Sequence, residues 1–272
     1  MRQSNTPQRI MSHGLAIVVL LAMAAVFVSL GFWQLQRGTE RERLAADISM
    51  GRQRMPQAVT HQQVLDQAQA WQGVRVSGEW RDELTVLLEN RNYQGQSGYW
   101  VATPFLLQAQ ALRSNAILVL RGWLPRPAGQ PVIIPPAPTG SVQIDAEVWT
   151  HVPRLYELPG QRSARHGLPE VLPSVTGSVP VVQNLYVNDL AQSTQLSFQH
   201  TVLAQISPSP GLGVDWPLPN LNYHQNRGYA LQWFGFAVIA MLFCLWLVYG
   251  LCFQHSKRAL GFTRTAKEKT HD

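Results

Sequence analysis

The sequence predicts a membrane protein in which two transmembrane helices flank one mainly antiparallel β extracytoplasmic domain, α+β overall. Three observations carry this reading. No Asp, Glu, Lys or Arg occurs between Arg9 and Arg37 or between Arg227 and Lys257, which leaves two charge-free windows of 27 and 29 residues. The basic residues in excess crowd into the tails outside those windows. Between the windows lie many short runs rich in Val, Leu and aromatic residues, punctuated by Gly and Pro.

The windows come first. A helix needs about 20 mostly apolar residues to cross the hydrocarbon core. Residues 15–34 and 227–253 meet that length and are read as transmembrane helices 1 and 2. Ala22-Met23-Ala24 resembles a signal cleavage site, but the apolar run continues through Val26, Phe27, Val28 and Leu30, longer than a signal core. The first segment is therefore expected to stay as an anchor.

Charge gives the orientation. The formal net charge is +6, yet residues 38–226 hold 13 Arg, no Lys and 14 acids, 13 − 14 = −1. A nucleic-acid partner is thereby disfavoured. Arg2 and Arg9 precede the first helix, and all three lysines (257, 267, 269) follow the second. Short tails rich in Lys and Arg stay cytoplasmic. The expected layout is a cytoplasmic tail over 1–14, an extracytoplasmic domain over 35–226 and a basic cytoplasmic tail over 254–272. In a bacterium this is a multi-pass inner-membrane protein with a periplasmic domain and both termini cytoplasmic. The only cysteines, Cys244 and Cys252, lie in the second apolar segment, so the outer domain has no disulfide and no thiolate pair for copper.

Arg37, Glu40, Arg41 and Leu44 fall at helical spacing, so the first helix is expected to continue as a charged stalk. Strands are expected at 74–80, 83–90, within 91–105 after the turn marks Gly95 and Gly98, and at 115–125, 142–152, 180–187 and 197–206. The pattern suits a barrel or a sandwich equally. Two loops stand out: 124–141, with six prolines, and 159–178, rich in Gly, Ser, Arg and Pro. Both suit surface connections or partner-binding surfaces. There is no phosphate-cradling glycine loop, no metal-spaced His/Cys cluster and no nucleophile motif. An enzyme is not expected. The 18 residues after 254 are too few for a sensor's output domain.

Four motifs in order then carry a resemblance: GFWQLQR at 31–37, LLENR at 87–91 followed by GYWVATPF at 98–105, ILVLRGWLP at 117–125, and GYALQWFGFA at 228–237. With the two-helix layout they resemble the surfeit locus protein 1 family, bacterial members included. The resemblance implies a cytochrome c oxidase assembly factor that takes part in respiratory chain biogenesis without enzymatic turnover. It implies haem A binding as a transient cargo, carried as a chaperone carries its client. The implied partners are the heme-copper oxidase catalytic subunit, the lipid bilayer and also haem A synthase. A pure membrane scaffold that binds no cofactor is the alternative.

The family places a histidine three residues before the tyrosine matching Tyr229; here that position is Asn226, and the nearest histidine is His224. The expected cofactor-binding set is His224, Asn226, Tyr229 and Trp233, with His224 on the haem iron because imidazole is the better ligand. Tyr229 and Trp233, four apart, share a helix face and suit either a porphyrin or an interfacial aromatic belt. On a continuous helix 224 and 226 diverge by about 200°, so the segment before Gly228 is expected to be unwound or bent. His13 lies at the opposite membrane level, and His61, His151, His166 and His200 show no paired spacing. Arg91 and Arg121 are read either as partners for haem propionates or as structural residues that pair with acids such as Glu89 or with a partner subunit.

Overall fold

A computed structural model describes residues 6–109, 115–157, 167–174, 177–219 and 221–268. The chain divides into two compact units, residues 1–44 with 220–272, and residues 45–219.

The first unit is an antiparallel helix pair. Helix α1 runs Thr6–Gln53 and helix α4 Tyr223–Glu268; both are long and apolar enough to cross a membrane. At 1.5 Å per residue, α1 is about 72 Å long, over twice the hydrocarbon thickness. The charged stretch 37–53 is therefore helical, as its spacing predicts.

The seam between the helices is a heptad. On α4 the inward positions are Asn226, Ala230, Trp233, Ala237, Ala240 and Cys244, spaced 4-3-4-3-4; all are buried except Trp233, which is half-buried. On α1 they are Ala24, Phe27, Gly31, Gln34, Gly38 and Arg41, spaced 3-4-3-4-3. A 3.5-residue repeat gives left-handed knobs-into-holes packing. Small residues let the backbones approach. A Cβ on Gly31 would stand 2.5 Å from the Phe234 ring, and one on Gly38 3.3 Å from Cβ of Asn226. Phe27 stacks on Trp233 at 5.8 Å, and Phe32 meets Phe234 edge-on at 5.4 Å.

The second unit is built on eight strands: β1 Gln57–Ala58, β2 Gly73–Trp80, β3 Val86–Tyr93, β4 Gln96–Leu107, β5 Ala116–Pro125, β6 Ser141–Trp149, β7 Val181–Val182 and β8 Phe198–Gln205. The sheet order is β1-β2-β6-β8-β5-β4-β3-β7, and β2 also pairs with β4. That extra pairing closes β2, β6, β8, β5 and β4 into a ring, so the domain is a small closed barrel with β3 and β7 extending from β4 and β1 from β2. Closure needs Gly78: a Cβ there would run into the Leu106 carbonyl, and Gly78 sits opposite Leu107 in the β2–β4 pairing.

The barrel interior is filled by alternate residues of five strands, including Val74, Val76, Phe105, Ile117, Val119, Ile144 and Leu203, and is plugged by Leu65 of helix α2, Gln62–Gln67. Between them Arg75 and Asp145 turn to solvent, whereas Leu118, Val202 and Ala204 face a second apolar layer. A second apolar layer packs on Leu118, Leu120, Val202 and Ala204 and contains Trp100, Trp123, Trp149 and Trp216. Trp100, Trp149 and Trp216 meet one another within 5.9 Å. It is covered by Leu168, Leu172, Leu185 and helix α3, Val187–Thr194.

Most strands lie where the sequence places them. The run 180–187 differs. Only Val181 and Val182 form a strand, against Leu87 and Leu88, and α3 begins at Val187. Leu190 is fully buried on α3, so the apolar residues here serve one helix face rather than one strand face. The turn at Gln94 (φ 49°) and Gly95 (φ 81°) is the two-residue hairpin with both central residues left-handed. Half of the 159–178 loop falls outside the described residues, His166 included.

Candidate functional site

The site residues expected from sequence all lie in the helix pair. Because α4 starts at Tyr223, the segment before Gly228 is helical rather than unwound. Consequently His224 and Asn226 point to different sides.

Asn226 is buried on the seam. Its Oδ1 accepts a hydrogen bond from Nη1 of Arg41 at 2.8 Å, and its Nδ2 donates to Oε1 of Gln34 at 2.8 Å. Nη1 of Arg41 also donates to the Asn222 carbonyl at 3.3 Å. Arg227 pairs with Glu42 at 2.8 Å, and Arg37 with Glu40 at 3.3 Å. The amide therefore forms a polar layer in an apolar heptad, a device that fixes register between helices. Both ends of its side chain are engaged, so it is no axial donor as placed.

His224 is exposed, with its ring 4.1 Å from that of Tyr223. Tyr229, 51% exposed, lies about 140° around the helix from His224 at 100° per residue. Trp233 shares the side of Tyr229 but stacks on Phe27 in the seam. The structure thus brings Tyr229 and Trp233 to one flank and sets His224 on another; the three do not line one slot. What sequence reasoning missed is the face below His224. Gly228, Leu231 and Gly235 follow at helical spacing, all exposed, and a Cβ on either glycine would meet nothing within 4 Å. The i, i+4, i+7, i+11 spacing was the available signal. No group of three or more His, Cys, Asp or Glu that could hold a metal ion occurs among the described residues.

Of the two strand-motif arginines, Arg121 is a structural pair, though not with Glu89, and Arg91 bonds a backbone carbonyl rather than an acid. Arg121 is 1% exposed; its Nη1 donates to Oδ1 of Asp82 at 3.0 Å and its Nη2 to the Pro135 carbonyl at 3.0 Å. Oδ2 of Asp82 accepts from the Ala137 N–H, so this pair clamps the proline-rich loop to the barrel. Burial lowers the Arg121 pKa, against the opposing pull of Asp82. Gly122 is required because a Cβ would stand 2.7 Å from Cβ of Leu212, and Trp123 donates its indole N–H to the Arg91 carbonyl at 2.7 Å. Arg91 is buried, donates to the Gln183 carbonyl at 3.0 Å and lies 4.6 Å over Trp100; burial lowers its pKa to about 10.

Two apolar helices flanking a β-rich domain define a membrane protein of α+β type. A family model described as the SURF1 family matches residues 21–238. The chain is 24% identical to a SURF1-like protein of Rickettsia felis, over 85% of this chain and 95% of that protein. It is 28% identical to SURF1-like proteins of Mycobacterium bovis and Mycobacterium tuberculosis, over 83% of this chain and 79% of theirs. The chain belongs to the SURF1 family, whose members are generally cytochrome oxidase assembly factors rather than enzymes.

Proposed function

We propose that this chain is an inner-membrane assembly factor for a heme-copper oxidase, acting through the exposed glycine face of α4. The observation that carries the reading is a contrast between glycines. Gly31 and Gly38 are consumed in packing α1 against α4, while Gly228 and Gly235 face open space. Lipid chains need no glycine, whereas a partner helix approaching closely does. The occupant is a transmembrane helix of the oxidase catalytic subunit. Both termini are cytoplasmic and residues 38–226 periplasmic, from the charge bias of the tails.

Haem A enters as cargo on the same face. His224 stands one turn before Gly228 and offers the donor, and the open space at Gly228 and Gly235 beside Leu231 leaves room for a planar ring. Tyr229 and Trp233 contribute interfacial anchoring, and haem A synthase is the source of the cargo. The scaffold reading without cofactor is supported by Asn226, whose amide is engaged where the resemblance expects a ligand.

Deletion of the gene should lower assembled oxidase while haem A synthesis continues; normal oxidase content would count against the reading. Gly228→Leu with Gly235→Leu should reproduce the deletion with the protein still present in the membrane. Protein purified from haem-A-producing cells should show a haem spectrum that His224→Ala abolishes. No haem in the unaltered protein selects the scaffold. An export-dependent reporter that stays silent at residue 140 would refute the orientation.

A further inference from the structure

A second site lies in the barrel domain, in a fork between two strands. β6 and β8 pair antiparallel from Ala146 with Gln205 to Trp149 with Val202, and the ladder stops there. Beyond that point the two chains separate, and a cleft of about 230 Å³ opens between them. Its walls carry His151 and Arg154 from one prong, His200 from the other, and Asn188 from the first turn of α3. Its apolar lining includes Val152, Leu185 and Phe198. The guanidinium of Arg154 lies 5.0 Å over the Tyr186 ring.

Three features of this fork converge. Arg154 is cationic and the two imidazoles offer ring nitrogens, and among the described residues no Asp or Glu lines the cleft; Asp189, the acid in the first turn of α3, is not part of its wall. The first turn of α3 contributes Val187 and Asn188 to the same wall. Phe198–Thr201 of β8 lie past the end of the β6 ladder, beside the gap. The volume holds one side chain and falls below the usual range for drug-sized ligands.

We propose that the fork docks the carboxyl-terminal residue of an extended partner polypeptide. The partner's last residues run alongside Phe198–Thr201 as an added strand. Its terminal carboxylate meets Arg154, His151 and His200 through charge-assisted hydrogen bonds, and its last side chain enters against Val152, Leu185 and Phe198. This site is independent of α4 and of haem.

The test uses the full-length protein in detergent micelles and the anisotropy of hexapeptide pools labelled at the amino terminus. The last three positions are randomised, and the pools end in a free carboxylate or an amide. The free-carboxylate pool should bind at least tenfold more tightly than the amide pool. Arg154→Gln should erase that difference. Ala191→Phe, which fills the fork without altering charge, should weaken binding at least tenfold, with native tryptophan fluorescence retained in both variants. Equal affinity of the two pools, no binding by either, or unchanged binding in both variants overturns the proposal. Phenylacetate displacing the peptides at equal molar concentration also overturns it, because the fork would then take free carboxylates.

Discussion

Arg121 and Asp82 show how much of the barrel depends on single side chains. A guanidinium left buried without its carboxylate carries a desolvation penalty that nothing offsets. Asp82 is 41% exposed, so water recovers part of that loss. Asp82→Ala should cost about 2 kcal/mol, below the range for a fully buried pair, read from the urea midpoint. It should also free the 126–140 loop for proteolysis. The surface pair Arg75–Asp145, at 2.6 Å, gives a different signature. Hydrogen bonding to Arg75 holds the Asp145 carboxyl below its usual range. Its folded pKa is depressed, so the contribution is present above the unfolded pKa of about 3.9 and is lost as pH falls through the folded value. Arg75→Gln should remove that portion of the acid dependence, which sets in as pH falls below the unfolded pKa, and high salt should shrink the difference.

At the scale of elements, the helix pair is the more exacting part. Gly31→Leu would drive a side chain into the Phe234 ring, and overpacking of that kind costs about 1–3 kcal/mol. The thermal midpoint of the solubilised protein should fall by several degrees. Gly14→Leu, where a Cβ meets nothing within 4 Å, should leave it unchanged. The strands 74–80, 115–125 and 197–206 were legible because Val, Leu and Ile cluster between Gly and Pro marks. The run 180–187 misled for a physical reason: eight residues rich in Val and Leu do not separate a strand from a buried helix turn. The polar layer at Asn226 was hidden because its partners Gln34 and Arg41 are nearly two hundred residues away in sequence. The seam periodicity was present in the sequence as small residues every seven positions, but a uniformly apolar helix gives no contrast to reveal it. Likewise, nothing local reports that β2 pairs with β4 as well as β6, so barrel and sandwich stayed equivalent until the ring was seen.

At the scale of the whole molecule, the ring has an order built into it. β8, which joins β5 in parallel and β6 antiparallel, is the last strand of the domain to be synthesised. Until residue 205 is made, β5 and β6 both present open edges, and the apolar residues they share stand uncovered. Parallel pairing across some eighty residues is a slow, non-local step. A chain ending at residue 197 should be degraded through the whole of 73–149 in a pulse of protease, whereas one ending at 219 should resist. The newborn protein therefore passes through an interval in which five of its six longest strands exist and the ring stays open between β5 and β6. During that interval its survival depends on how fast the ribosome delivers the next few residues and on what else in the compartment can bind a bare strand edge.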